Sequence, residues 1–226
     1  MKKLFIVANW KSYKTQKEAM EWLNLLNKAD FSQYEIKDKE VILCPPFPLL
    51  PLLHDLITNS FSNSDLLLRL GCQNISEFEE GAYTGEVSAK LISEFCHYAI
   101  IGHSERRTNF NEADDMLSRK VTISNRYNIT PIFCIQGKET IIPEGVDIVA
   151  YEPISAIGTG RPDDPSDAEE VARYVKENHK VNTVLYGGSV DENDVKLFTS
   201  LPNIAGVLVG GASRDADRFS KIIKNG

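Results

Sequence analysis

The 226-residue sequence is short of several things, and each shortage removes a class of function. Basic residues are outnumbered, 25 Lys and Arg against 32 Asp and Glu, giving a formal charge of −7 and a pI near 5.2. With no basic stripe to offset that balance, nucleic acid and anionic membrane surfaces are poor partners. Apolar runs are short, and none approaches the length of a membrane span. The opening Met1-Lys2-Lys3-Leu4-Phe5-Ile6-Val7-Ala8 starts like a signal peptide. It stops at Asn9, however, without an apolar region of the needed length or a cleavage site. Cysteines are few, at 44, 72, 96 and 134, with no CxxC pair and no metal-type spacing. Reduced, buried thiols in a cytoplasmic protein are the expectation. Cys134 ends an apolar run with no activating partner near it in sequence, so a packing role is expected there. Linkers, repeats and low-complexity blocks are absent, so residues 1–226 are expected to form one domain.

What is present is an alternation of short apolar runs with amphipathic stretches from end to end, the pattern of a parallel sheet built from βαβ units. Strands are predicted near 4–9, 40–44, 66–72, 97–102, 130–135, 146–151, 182–186 and 204–209. Helical periodicity is clear at 16–29 (Ala19, Trp22, Leu23, Leu26), 112–126, 166–178, 191–199 and 214–224, with a shorter helix near 49–58. Eight strands fit a closed (β/α)8 barrel better than an open sheet. One crossover breaks the pattern. Gln136 to Gly145 includes Gly137, Pro143 and Gly145, shows no helical face, and is too short for a crossover helix. The barrel is therefore expected to have eight strands and seven full helices, with the helix after strand five missing or reduced to a loop.

Chemistry-bearing residues cluster at predicted strand ends. Side-chain alternation in the first strand puts Phe5, Val7, Asn9 and Lys11 on one face. If that face is the barrel interior, Lys11 emerges at the carboxyl end, where barrel active sites lie, as a fixed positive charge for an anionic substrate. The fourth strand ends in Gly102-His103-Ser104-Glu105-Arg106-Arg107. Ser104 is the predicted helix N-cap, which places His103 beside unpaired backbone N–H groups. Those groups can donate to one ring nitrogen, leaving the other to offer a proton to a substrate oxygen. Glu152 closes the run Val146–Tyr151 and is followed by Pro153 and the small, glycine-bearing stretch Ser155–Gly160, the composition expected of a fixed base beside a mobile lid. Gly187-Gly188-Ser189 and Gly210-Gly211-Ala212-Ser213 each stand between an apolar run and a helix, where backbone N–H groups can hold a phosphate.

Taken together, Asn9-Trp10-Lys11, Gly81-Ala82-Tyr83-Thr84-Gly85-Glu86, Gly102–Arg107, the Glu152 run, Tyr186–Ser189 and Val209–Ser213 resemble the triosephosphate isomerase family over essentially the whole chain. The resemblance implies a TIM barrel that interconverts dihydroxyacetone phosphate and D-glyceraldehyde 3-phosphate in glycolysis and gluconeogenesis, without cofactor or metal. It implies Glu152 as the base, His103 as the carbonyl-polarising proton shuttle, and Lys11 and Asn9 as substrate-binding groups. Backbone N–H groups of Gly158, Ser189, Gly210 and Gly211 would hold the phosphate, and Glu105 would orient its neighbours. The Gly81–Glu86 loop would form a homodimer, Thr84 reaching towards the partner's active site. Two departures concern the lid: Ser155 stands where the family carries a tryptophan, and Cys134-Ile135-Gln136-Gly137 lacks the glutamate that partners it. Tyr186 and Ser189 are then the expected latch. The competing readings are a catalytically silent phosphate-binding barrel and another phosphate-using barrel enzyme such as an aldolase. The second lacks a candidate Schiff-base lysine deep in a strand.

Overall fold

The computed structural model describes residues 3–34, 36–61, 66–154 and 162–226. In chain order the elements are β1 (Leu4–Asn9), α1 (Gln16–Asn27), β2 (Lys39–Cys44), α2 (Leu50–Ser60), β3 (Leu67–Cys72), α3 (Ala89–Ile92), β4 (Tyr98–Ile101) and α4 (Ser104–Phe110). They continue with α5 (Asp114–Arg126), β5 (Thr130–Ile135), β6 (Ile148–Tyr151), α6 (Pro165–Asn178), β7 (Thr183–Tyr186), α7 (Val195–Thr199), β8 (Gly206–Val209) and α8 (Ala216–Asn225). The strands pair in sequence order, all parallel, and β1 closes the barrel on β8. This is the (β/α)8 barrel expected from the alternation.

Strand alternation sorts the core into two parts. Phe5, Val7, Ile42, Cys44, Ile100, Ile132, Cys134, Ile148, Ala150, Leu185 and Leu208 fill the barrel interior. Ile6, Ala8, Trp10, Leu43, Phe133, Val149 and their equivalents face outward into the helical layer. Asn9 and Lys11 therefore share the interior-facing register of Phe5 and Val7, as predicted. Helix α1 starts with a capping box, Thr15 and Glu18 each satisfying the other's backbone N–H. It buries the stripe Ala19, Trp22, Leu23 and Leu26 against the barrel.

No helix lies between β5 and β6; residues 136–147 form turns and extended chain. The outward side chains Phe133, Ile135, Val149 and Tyr151 are nonetheless buried. Val146 from the loop belongs to the same apolar cluster, and Ile142 packs against it. The Arg107 guanidinium lies 5.6 Å from the centre of the Phe133 ring. The loop is tied to its neighbours at both ends: Lys138 Nζ reaches Glu170 Oε1 on α6 at 2.5 Å, and Asn125 Nδ2 on α5 donates to Gly145 O at 2.9 Å. Gly145 sits at φ +87°, a left-handed turn that a side chain would strain.

The helical layer differs from the expected seven full helices in detail. Among the described residues there are eight α-helices. Two of them, α4 and α5, share the β4–β5 crossover, while α3 and α7 are single turns of four and five residues. The alternation is therefore right for the barrel but overstates these two crossovers, where a short loop-and-turn covers the strands.

Candidate active site

The carboxyl ends of the strands surround a cavity of about 350 Å³ lined by Asn9, Lys11, His103, Glu152, Ser189 and the glycines 187, 188, 210 and 211. Each predicted site residue among the described ones, Glu105 apart, lines this space. Glu105 reaches it through its bond to Lys11. Gly158 falls in 155–161, outside the described residues, as does the lid substitution Ser155.

Lys11 follows β1 in a left-handed backbone conformation, φ 53°, uncommon for a residue with a side chain. Two side chains hold it there. Asn9 Oδ1 accepts from Lys11 N at 3.0 Å, and Gln73 Nε2 donates to Lys11 O at 2.8 Å and to Cys44 O at 2.9 Å. Nζ is bonded to Glu105 Oε1 at 2.5 Å, so the ammonium is aimed and partly compensated. Gln73 was not anticipated from the sequence. It continues the interior register of Gly71 one step beyond β3, a signal the alternation of that strand carries.

His103 is itself the N-cap of α4, correcting the prediction that Ser104 would be; the helix begins at Ser104. The backbone N–H of Glu105 donates to His103 Nδ1 at 3.2 Å. With the Nδ1 lone pair engaged as an acceptor, the neutral ring carries its proton on Nε2. Nε2 lies 3.0 Å from Glu152 Oε1. The residue before it, Gly102, has φ +72°, and a Cβ there would meet Arg107 Nη2 at 3.1 Å, so glycine is required to turn β4 into the cap.

Glu152 is 1% exposed, one residue beyond β6, its backbone N–H bonded to Ile135 O at 2.8 Å. Its second oxygen accepts from Ser104 N at 2.8 Å. The buried carboxylate thus accepts from a backbone N–H at the first turn of α4 and stands against the His103 ring, polar contacts of the kind that let a buried charge be tolerated. Beneath it lies Cys134. Burial, and next the Glu152 charge, push that thiol well above the ordinary cysteine range, so it is an inert neighbour. All four cysteines are free and buried, as expected. Gly187 is needed at the other side: a Cβ would stand 3.0 Å from Glu152 Cγ.

The 3-10 turn Gly211–Arg214 follows β8 with Gly210 as its N-cap, so the Gly210 and Gly211 amides lie at its start. Ser213 fastens it, its backbone N–H and hydroxyl both donating to Gly210 O, at 3.0 and 2.7 Å. Ser213 O in turn accepts from the indoles of Trp10, at 3.2 Å, and Trp22, at 3.1 Å. The Asp163 N–H donates to the Tyr186 hydroxyl at 2.8 Å, and its carboxylate is a charged neighbour of the Tyr151 phenol. Burial first, and then the Asp163 and Asp167 charges, push Tyr151 up to about 12, so both phenols stay protonated. Tyr151 and Asp163 were not singled out in the sequence, because only the fold brings them together. Among the described residues, no cluster of His, Cys, Asp and Glu could hold a metal ion.

A family model described as Triosephosphate isomerase matches residues 4–146 and 143–226. The chain is 38% identical to the triosephosphate isomerase of Picosynechococcus sp., over 99% of both chains. It is 36% identical to those of Dictyoglomus turgidum and Mesomycoplasma hyopneumoniae, over 100% of both chains in each case.

Proposed function

This chain belongs to the triosephosphate isomerase family and interconverts dihydroxyacetone phosphate and D-glyceraldehyde 3-phosphate, and we propose that Glu152, His103 and Lys11 carry the reaction. The observation that supports this most is the 3.0 Å contact of His103 Nε2 with Glu152 Oε1 in the cavity that Lys11 also lines. A proton donor and a buried base stand side by side, which is what proton transfer next to a carbonyl requires.

A substrate carbonyl oxygen arriving at Nε2 takes the place that Glu152 Oε1 now occupies beside it. The carboxylate then turns to the carbon next to the carbonyl and removes its proton. His103 polarises the carbonyl and moves protons between the two oxygens of the enediolate, and Lys11, with Asn9, stabilises the negative charge that develops. Glu152 returns the proton to the neighbouring carbon. The family itself has long been the worked case of a glutamate base with a neutral histidine electrophile, so this division of labour is inherited from it. Glu105 orients Lys11. Ser189, Gly210, Gly211 and Gly158 provide the amides for the phosphate. No step requires a metal or a cofactor. A catalytically silent binder would have no use for a buried base on a proton donor.

Residues 1–226 act as one domain, and the working form is a homodimer. The loop residues 81–86 are all exposed, and beside them the rings of Phe78 and Tyr83 stack at 4.2 Å while remaining 39% and 44% exposed. Such an exposed apolar loop, Thr84 included, suits insertion into a second copy. The cytoplasm is where a glycolytic isomerase works, and no described helix is long and apolar enough to cross a membrane. A coupled assay for conversion of glyceraldehyde 3-phosphate tests the activity, and sedimentation tests the dimer. A purified protein without turnover in that assay would return the silent-barrel reading, and a monomer of full activity would remove the Thr84 interface.

A further inference from the structure

The charged side chains that line the cavity are not equivalent, and several of them have no part in the proton transfers. Arg218 is neutralised: its Nε lies 2.9 Å from both oxygens of Glu192, and its Nη2 lies 3.3 Å from Asp191. Lys11 is bonded to Glu105. Asp194, raised above the usual carboxylate range chiefly by burial, lines the same wall and bonds the Asp191 N–H at 2.7 Å. Arg214 differs from all of these. Among the described residues it makes no ion pair with a carboxylate. Its Nε donates to Gly211 O at 3.3 Å, and its guanidinium lies 4.1 Å from the centre of the Tyr13 ring.

We propose that Arg214 is a phosphate-binding residue of this active site, whose guanidinium engages the substrate's phosphate beside the Gly210–Gly211 amides. The inference rests on the isomerase reading and adds a residue to it. Three observations carry it. Arg214 lines the cavity that holds Lys11, His103 and Glu152. Its Nη2 is 4.0 Å from where a Gly211 Cβ would stand, so the cation borders the glycine turn directly. It is also held in place: one face rests on Tyr13, and its backbone ends the turn that Ser213, Trp10 and Trp22 anchor. A guanidinium stacked on one face, with only Nε engaged by Gly211 O, leaves the in-plane N–H groups of Nη1 and Nη2 for an anion, in the planar fork that suits phosphate. The need is evident in the surroundings. The chain carries a net −7, and Glu152, Asp191 and Asp194 line the cavity, so a dianionic substrate meets a repulsive field that one unpaired cation at the rim relieves locally.

The test uses Arg214→Gln and Arg214→Lys in the full-length protein, with glyceraldehyde 3-phosphate and phosphate-free D-glyceraldehyde as substrates and inorganic phosphate as inhibitor. Arg214→Gln should raise KM for the phosphorylated substrate and the inhibition constant of phosphate in parallel, by about tenfold. kcat should stay within about twofold, and activity on glyceraldehyde should not change. Arg214→Lys should recover part of the loss, since it keeps the charge and loses the fork. The fall of kcat/KM with added salt should be shallower in Arg214→Gln than in the parent. Unchanged KM, phosphate inhibition and salt dependence in Arg214→Gln would overturn the proposal while leaving the isomerase reading intact. So would equal losses on both substrates, which would make Arg214 a structural support of the turn. An inactive parent protein would instead remove the isomerase reading itself.

Discussion

The carbonyl of Ser213 offers a perturbation whose size can be worked out before it is made. This oxygen is buried, and both of its lone pairs are used, by the indole N–H of Trp10 at 3.2 Å and of Trp22 at 3.1 Å. The two rings meet edge to face with centroids 4.9 Å apart, and Trp22 also packs on Phe219. Trp22→Phe removes one hydrogen bond, worth about 1 kcal/mol net, yet leaves the carbonyl paired to Trp10. The lost ring volume adds about 1 kcal/mol more, because the layer between β1, α1 and α8 is closely packed. A total of about 2 kcal/mol corresponds to a fall in Tm of about 4–8 °C in a chain of this size. Trp10→Phe should cost a similar amount for the same reasons. The double variant is different in kind. Only there does Ser213 O lose both donors, and an orphaned buried carbonyl costs about 1–3 kcal/mol beyond the two bonds already counted. The cycle, measured by urea unfolding of the parent, both singles and the double, should therefore show the double exceeding the sum of the singles by at least about 1 kcal/mol. Function should follow the same order. Ser213 fastens the turn that holds Gly210 and Gly211, so the double variant should raise KM while kcat changes little. Additivity of the two singles to within about 0.5 kcal/mol would refute the argument that one carbonyl couples them.

Tyr186→Phe keeps the ring, which stacks on Phe198 at 3.7 Å, and deletes only the hydroxyl that accepts from Asp163 N. Because Asp163 follows the run 155–161, we expect looser sequestration of the enediolate and a larger share of methylglyoxal from phosphate loss, with substrate binding weakened only modestly. An unchanged product ratio and kcat would place the latch elsewhere. Thiol titration with an aromatic disulfide reagent should detect no fast-reacting cysteine in the native protein and four after unfolding; a reactive native thiol would contradict the burial of all four. Burial raises Cys44 and Cys134 in the folded state, so unfolding frees groups that ionise more readily. Stability should then fall as the pH climbs past the ordinary thiol value of about 8.5, read as a lower urea midpoint at pH 10 than at pH 8.

Most of this architecture is legible in the chain because it rests on short-range periodicity. The interior register of Asn9 and Lys11 follows from alternation with Phe5 and Val7, and the missing β5–β6 helix follows from the length and composition of Gln136–Gly145. What escapes is of two kinds. Helices α3 and α4 are too short, and α4 too polar, to show an apolar stripe; only Ser104 of α4 is buried. Serine is the commoner cap, which points to Ser104, whereas the cap is His103, whose ring nitrogen accepts the helix N–H. The pairings that make the site, Lys11 with Glu105 and His103 with Glu152, join different parts of the chain. Residue types at strand ends suggest such partners, but the closure of β1 on β8 is what sets their distances.

The assignment of the base is tested most directly by Glu152→Gln in the coupled isomerase assay. Glutamine keeps the size of the side chain and an oxygen to accept from Ser104 N, but it cannot take a proton from carbon. The expected result is a kcat lower by at least about 10²-fold with KM little changed. A Glu152→Gln enzyme that turns over at near the parent rate would contradict it.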